Sequence, residues 1–199
     1  LEAIVVAGGA YHPGQGDYQF EFVDSAMKKL KDIGGGTLLV ANAGWTKEQY
    51  NAIVEGAAAR GINLLWFSSV DSLTSYINNG RDRSVDPITE FYVFAHGTAD
   101  DNDNYAITFG LYSNNDFRWY TDDISRINGS AFASGVVSTF YACRTGNNFN
   151  NGNFAQTWAD KTNGDTYAYS GWNGRSEYGD ILGTWAERHG MGSAAFNEW

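Results

Sequence analysis

Short apolar runs alternate with amphipathic segments through most of the chain, and this alternation restricts the possible folds more than any other feature. The runs are rich in β-branched and aromatic residues, which is typical of strands buried on both faces. Strands are predicted at Ala3–Ala7, Thr37–Ala41, Ile62–Phe67, Glu90–Ala95, Val136–Ala142 and Asp165–Ser170. Helices are predicted at Tyr18–Lys31, Lys47–Arg60, from Ser69 or Asp71 to about Asn79, and at Asn153–Lys161. This order predicts an α/β fold, a mostly parallel six-stranded sheet with helices on both faces.

A different pattern separates the fourth and fifth predicted strands. After an acidic loop, the segments Tyr105–Tyr112 and Phe117–Tyr120 flank Ser-Asn-Asn-Asp and predict an inserted β-hairpin. The tail, Gly171–Trp199, is mixed, and only Ile181–Arg188 suggests a helix. With 199 residues, 43% of them hydrophobic, we expect a single domain over 1–199. Because the chain starts at Leu1 and enters a strand almost at once, we expect a domain cut from a longer polypeptide.

Charge and cysteine content exclude several classes of function. The formal net charge is −10 and there is no cluster of Lys and Arg, which argues against nucleic-acid binding. No apolar run approaches the length of a membrane span. A single cysteine excludes an intrachain disulfide and any metal site built from several cysteines. No cofactor is implied.

Two of the apolar runs end in a reactive side chain. Phe91–Ala95 leads into His96 and Gly97, and Val136–Ala142 leads into Cys143. The carboxyl ends of parallel strands share one edge of a sheet, where ligands bind in such folds. A histidine can take the proton of a thiol and later protonate a leaving group. The backbone N–H groups of Gly97 and Cys143 could stabilise an oxyanion.

The motifs Phe94-Ala-His-Gly and Tyr141-Ala-Cys-Arg resemble those of the caspase/gingipain superfamily of cysteine peptidases. The segments after the cysteine, through Thr166-Tyr-Ala-Tyr-Ser-Gly-Trp172, look more like the bacterial caspase-like domains of that superfamily. The resemblance implies a caspase-like three-layer sandwich and a cysteine endopeptidase with a Cys143/His96 dyad. It departs from caspases proper, since Tyr141 stands where they have Gln and Thr145 precedes Gly146. Caspase specificity for Asp is therefore not expected.

The same resemblance suggests where a substrate binds. The loops Gly9–Asp17 and Ser170–Arg175 correspond to those that form the specificity pocket, which makes Asp17, Ser170 and Trp172 the candidate substrate-binding residues. Asp17 could receive a basic side chain, although a role as the N-cap of the helix from Tyr18 is the favoured interpretation. The partner expected is a protein or peptide substrate. The compartment is open; by analogy alone, the chain could be a self-processing or toxin-effector module of a secreted bacterial protein, delivered into a target cell.

Other functions are compatible with parts of the sequence. The chain could be a non-catalytic binding module of the same fold, or a flavodoxin-like enzyme that binds a small anion at the loop Gly8–Gly16. That loop lacks the Lys-Ser/Thr of a phosphate loop and the third Gly of a dinucleotide fingerprint. The acidic run Asp100–Asn104 lacks the spacing of an EF-hand and is expected to be a solvated loop. A metal site from His12, His96 and His189 would need unrelated loops to converge, so no metal is predicted.

Overall fold

The computed structural model describes residues 1–9, 20–42, 44–110, 115–171 and 195–198. The helices of this part are α1 (Glu21–Asp32), α2 (Lys47–Ala59), α3 (Val70–Asn79) and α4 (Phe154–Thr162). Its first strands are β1 (Glu2–Ala7), β2 (Thr37–Ala41), β3 (Asn63–Phe67), β4 (Ile88–Phe94), β5 (His96–Ala99) and β6 (Tyr105–Thr108). The later strands are β7 (Arg118–Tyr120), β8 (Phe132–Tyr141), β9 (Asn148–Phe149), β10 (Gly152–Asn153), β11 (Asp165–Ser170) and β12 (Ala195–Glu198). Short 3₁₀ helices cover Asn115–Phe117, Thr121–Arg126 and Gly129–Ala131.

The central sheet has the strand order β12-β11-β8-β4-β1-β2-β3. All pairings from β11 to β3 are parallel, which confirms the predicted α/β fold with a six-stranded parallel sheet. The outer strand β12 is antiparallel to β11 and lies in the tail that the sequence left unassigned. Among the described residues no helix is long and apolar enough to cross a membrane.

The sheet reverses its strand order at β1. If the six parallel strands are numbered in chain order, so that β8 is fifth and β11 is sixth, their order across the sheet is 3-2-1-4-5-6. The chain moves outward from β1 through β2 to β3, and then crosses to the other side of β1 to form β4. A flavodoxin-like sheet would instead run 2-1-3-4-5. In doubly wound sheets the crevice at such a reversal, beyond the carboxyl ends of the strands, is where ligands bind. Here that crevice lies between the ends of β1 and β4.

Local hydrogen bonds fix the starts of α2 and α3 and the end of α1. The predicted start of the first helix was wrong: α1 begins at Glu21, with Phe20 rather than Asp17 at its N-cap position. Thr46 and Ser69 cap α2 and α3, each accepting the backbone N–H of the third helical residue. At the end of α1, the Gly35 N–H returns to the carbonyl of Leu30 at 2.8 Å. Gly35 has a φ of 127°, which costs an L-residue far more than glycine. These three helix ends are therefore determined by residues close in sequence.

Helices cover both faces of the sheet, so the core has two parts. One face buries α1 and α2 against β1, β2 and β4, with Phe22, Ala26 and Leu30 of α1 at its centre. The other face buries α3 and α4 together with β6 and β7. On that face Trp158 of α4 is fully buried, stacks on Phe91 at 4.9 Å and donates its indole N–H to Ser138 Oγ at 2.8 Å. The fold therefore has three layers, with the central sheet between α1 and α2 on one side and α3 and α4 on the other.

A small antiparallel sheet, β5-β6-β7, is inserted in the chain between β4 and β8, the two strands that precede His96 and Cys143. The predicted hairpin is confirmed by the pairing of β6 with β7, although both strands are shorter than expected. The boundary at His96 was wrong. The sequence predicts a fourth strand over Glu90–Ala95 that ends at His96-Gly97, whereas β4 ends at Phe94 and His96 begins β5. The chain turns out of the main sheet there and pairs with β6, with His96 opposite Thr108.

Candidate active site

The register of β4 and β8 brings the two predicted catalytic residues to the same place. Phe94 pairs with Tyr141 in the parallel ladder, and their rings stack at 4.5 Å. One residue further, the Ala95 N–H reaches the Tyr141 carbonyl at 3.4 Å. His96 and Cys143 each follow two residues beyond the paired Phe94 and Tyr141. The shared edge predicted from the sequence is therefore present, next to the reversal of strand order.

Gly97 packs directly against the backbone of Cys143. A Cβ atom built on Gly97 would lie 1.9 Å from the Cys143 carbonyl oxygen and 2.4 Å from the Tyr105 hydroxyl. Real Cβ atoms never approach backbone so closely, so any side chain at this position would force the two strand ends apart. The sequence singled out Gly97 as a possible oxyanion donor, and the structure places it against the Cys143 backbone.

The His96 imidazole is held by an aromatic contact from α1. The ring of Phe22 meets it edge-on, with centroids 4.9 Å apart and planes at 76°. Phe22 is itself only 4% exposed. Such an edge-to-face contact restricts the orientation of the imidazole. His96 and Cys143 are both half-buried residues, although the Nε2 atom of His96 is itself buried.

The turn that carries Cys143 is tied to the end of β11. The Arg144 N–H donates to the Gly171 carbonyl at 2.6 Å, and the Gly146 N–H donates to the Tyr169 carbonyl at 2.9 Å. Ser170 lies between these two acceptors, so it is a neighbour of the cysteine turn. Arg144 has a φ of 60°, a left-handed conformation that is unusual for a residue other than glycine.

Two buried hydroxyls lie beneath this turn. The Tyr105 hydroxyl donates to the Cys143 carbonyl at 2.8 Å and lies 2.8 Å from Thr145 Oγ1. The Thr145 hydroxyl donates to the Ala142 carbonyl at 2.8 Å. Burial raises the pKa of Tyr105, so its phenol stays protonated and remains a donor. Both side chains are fully buried, and sequence reasoning missed both because neither belongs to a motif.

A buried carboxyl lies at the start of α1, one residue before Phe22. Glu21 is 5% exposed, and its Oε1 makes no hydrogen bond. Burial raises the pKa of Glu21 from 4.5 to about 7. The sequence gave no signal for this, because an acidic residue in the first turn of a helix is ordinarily a solvated partner of the helix dipole.

Gly8 and Gly9, the described glycines after β1, use their N–H groups within the fold. The Gly8 N–H donates to the Phe94 carbonyl at 2.9 Å, and the Gly9 N–H donates to the Phe109 carbonyl at 2.8 Å. A Cβ on Gly8 would lie 2.9 Å from the Phe109 Cα. These two amides are thus used within the fold, which weighs against the anion-binding alternative at this end of the loop. The rest of the loop Gly8–Gly16 lies outside the described residues.

The acidic loop before β6 is organised by its own turns. One carboxylate oxygen of Asp100 accepts the backbone N–H groups of Asn102 and Asn104, both at 2.9 Å. These bonds lower the pKa of Asp100, the bond from Asn104 most. Within the described ranges no group of three or more His, Cys, Asp or Glu side chains could hold a metal ion. The loop is therefore explained as a turn.

Of the predicted site residues, the structure brings four together: His96, Gly97, Cys143 and Ser170. Asp17 and Trp172 lie outside the described residues, as do His12 and His189. Comparison with protein-family models, with curated proteins and with solved structures found no match.

Proposed function

We propose that this chain is a cysteine endopeptidase with a caspase-like fold, in which Cys143 is the nucleophile and His96 the general base and acid. The observation that carries the proposal is the contact of Gly97 with the Cys143 carbonyl, which holds the two candidate strand ends together. The position of this pair beside the reversal of strand order supports it, since doubly wound sheets bind ligands there. No cofactor enters the chemistry.

The proposed reaction has two halves. His96 takes the proton of the Cys143 thiol, and the thiolate attacks the carbonyl carbon of a peptide bond. The resulting oxyanion is stabilised by the N–H groups of Gly97 and Cys143. His96 then gives its proton to the leaving amine, and the C–N bond breaks. Water hydrolyses the thioester that remains and restores the free thiol.

Substrate selection is proposed to involve the ends of β1 and β11. Ser170 lies beside the cysteine turn, and the remaining proposed contacts are Asp17 and Trp172. A basic side chain before the cleaved bond would suit Asp17 and a chain with a net charge of −10. A role as a self-processing or effector module of a larger bacterial protein is part of the same proposal.

The test combines labelling with cleavage. Iodoacetamide at neutral pH should alkylate native Cys143 stoichiometrically, and His96→Ala should slow this alkylation. A mixed peptide library should be cut by the wild type and left intact by Cys143→Ala, with a loss in kcat/KM of at least about 10⁴-fold. The residues found before the cut bonds would define the specificity.

The rival is a non-catalytic binding module of the same fold. In that case Cys143 would react only after denaturation, and no peptide in the library would be cut. Labelling that is unchanged in His96→Ala would also contradict the dyad. Labelling of Cys143 only after denaturation, together with an uncut peptide library, would replace the peptidase proposal with the binding one.

A further inference from the structure

We infer that Thr145 and Tyr105 are positioning residues that set the two peptide groups of the nucleophile, so that the Cys143 N–H faces the substrate carbonyl. The inference rests on the proposed peptidase function and adds residues that none of the sequence motifs contain. It is carried by three hydrogen-bond distances and by the planarity of the peptide group. Thr145 acts on the peptide before Cys143, and Tyr105 acts on the peptide after it.

The Ala142–Cys143 peptide is oriented by Thr145. In a trans peptide the C=O and N–H groups point in opposite directions. The Thr145 hydroxyl donates to the Ala142 carbonyl at 2.8 Å and is fully buried. That carbonyl is therefore directed into the interior, and the Cys143 N–H of the same peptide is directed away from it. This is the N–H that the proposed mechanism uses for the oxyanion.

The Cys143–Arg144 peptide is oriented in the same sense by Tyr105. The Tyr105 hydroxyl donates to the Cys143 carbonyl at 2.8 Å, from the core beneath β6. On the opposite side, the Arg144 N–H donates to Gly171 at 2.6 Å. The carbonyl and the N–H of this peptide group are thus both hydrogen-bonded. The bonds also hold Arg144 at its positive φ, a conformation that costs about 1 kcal/mol or more outside glycine.

The Tyr105 and Thr145 hydroxyls have one proton each to donate to the two carbonyls. Three short contacts join the Tyr105 and Thr145 hydroxyls to each other and to the carbonyls of Ala142 and Cys143. Two hydroxyls carry only two protons. Both carbonyls are satisfied only when each hydroxyl donates to its own carbonyl. The contact between the hydroxyls then adds no third proton, so neither residue can replace the other's bond.

This arrangement makes β6 part of the proposed catalytic apparatus. Tyr105 begins β6 and also contacts Gly97, since its hydroxyl lies 2.4 Å from where a Gly97 Cβ would be. One phenol thus touches both strand ends of the proposed site. A preorganised oxyanion donor contributes about 10²- to 10³-fold to kcat, which sets the scale of the expected effects.

The experiment compares hydrolysis with alkylation in the full chain. Thr145→Val keeps the shape of the side chain but removes the hydroxyl. We expect it to lower kcat for peptide hydrolysis by about 10- to 100-fold, with KM changed little. Alkylation by iodoacetamide forms no oxyanion, so its rate at Cys143 should stay within about threefold of the wild type. Thr145→Ser retains the hydroxyl and should restore most of kcat.

Tyr105→Phe is the second variant and should lower kcat by about 10-fold while Cys143 remains reactive. The matched controls remove equivalent bonds far from the turn. Thr162→Val deletes a buried hydroxyl that donates to the Trp158 carbonyl at 3.0 Å. Tyr76→Phe deletes the phenol that donates to Glu2 at 2.8 Å. Both controls should hydrolyse peptides at the wild-type rate.

Two results would overturn the inference while leaving the peptidase proposal intact. One is a Thr145→Val enzyme with wild-type kcat. The other is a parallel loss of hydrolysis and alkylation in Thr145→Val and Tyr105→Phe, which would indicate a merely structural role. A wild-type chain that neither labels at Cys143 nor cuts peptides would instead refute the proposed function, and this inference with it.

Discussion

The two edges of the central sheet use their polar groups in different ways. At the amino-terminal edge, charged side chains pair with one another. Glu2, 3% exposed, binds the guanidinium groups of Arg83 and Arg81, the latter at 3.0 Å. Arg83 in turn donates to the carbonyls of Ile77 and Tyr76. This edge is a closed network in which the buried charges of Glu2 and Arg83 satisfy each other.

At the carboxyl-terminal edge, neutral hydroxyls hold backbone carbonyls instead. Tyr105 and Thr145 bind the carbonyls on either side of Cys143, while His96 meets Phe22. A buried carboxyl, Glu21, lies at the start of the neighbouring helix without a hydrogen bond to Oε1. The difference indicates that one edge stabilises the fold, whereas the other fixes the direction of main-chain groups. Substitutions at the amino-terminal edge should therefore change the free energy of unfolding, whereas substitutions at the carboxyl-terminal edge should also change peptide hydrolysis.

The largest expected effect is on stability at the amino-terminal edge. Arg83→Met should lower the free energy of unfolding by about 3 kcal/mol, because it leaves the Glu2 carboxylate buried with fewer partners. Urea unfolding followed by tryptophan fluorescence would measure this. Alkylation of Cys143 at the opposite edge should be unchanged. A loss under about 1 kcal/mol, or a change in alkylation rate, would contradict the separation of the two edges.

Gly97→Ala tests the contact at the carboxyl-terminal edge. The added methyl would lie 1.9 Å from the Cys143 carbonyl oxygen, so we expect a loss of about 2–3 kcal/mol of stability and of more than about 100-fold in peptide hydrolysis. Gly56→Ala in α2 is the control. Its nearest atom is the flexible end of Arg60 at 3.4 Å, and it should gain about 0.5–1 kcal/mol. Urea unfolding and peptide hydrolysis of both variants would check this; wild-type hydrolysis by Gly97→Ala would break the proposed pairing of strand ends.

Glu21 should make stability depend on pH. Burial raises its pKa from 4.5 to about 7, so the folded state binds more protons than the unfolded state between these values. Stability should therefore fall as pH rises through this window. Glu21→Gln should remove this decrease in stability with rising pH. At pH 8 its free energy of unfolding should exceed that of the wild type by on the order of 2 kcal/mol, and at pH 4 the two should differ little. Thermal unfolding across this range would show it, with the exposed Glu55→Gln as a control that leaves the fall in place.

The smallest effect is expected at an exposed ion pair. Arg126 contacts Asp71 at 2.6 Å, but the two side chains are 43% and 82% exposed. Arg126→Ala should therefore cost less than about 1 kcal/mol in urea unfolding. A cost that matches Arg83→Met would show that burial does not explain the strength of the amino-terminal network.

Much of the fold could be predicted because its causes are local. The capping residues Thr46 and Ser69, and the glycines that follow α1, act through neighbours a few residues away. The apolar runs of β1, β2 and β4 need only their own composition to indicate strands buried on both faces. His96 and Cys143 could be placed at one edge because parallel strands with right-handed crossovers must end together.

The start of β5 at His96 was not predicted, because it depends on pairing with β6 rather than on local pattern. The roles of Tyr105, Thr145 and Glu21 were not predicted for the same reason, since each role depends on the groups that surround the side chain after folding.

The sequence by itself determined the alternation of strands and helices and the two short motifs at the strand ends, because periodicity and composition act within a few residues. Only the tertiary structure decided the strand order, the approach of Gly97 to Cys143 and the hydroxyls that direct the peptides of the cysteine turn. These features join residues up to 87 positions apart, as in the pairing of Ala7 with Phe94. Their energies exist only once the chain has packed and excluded water.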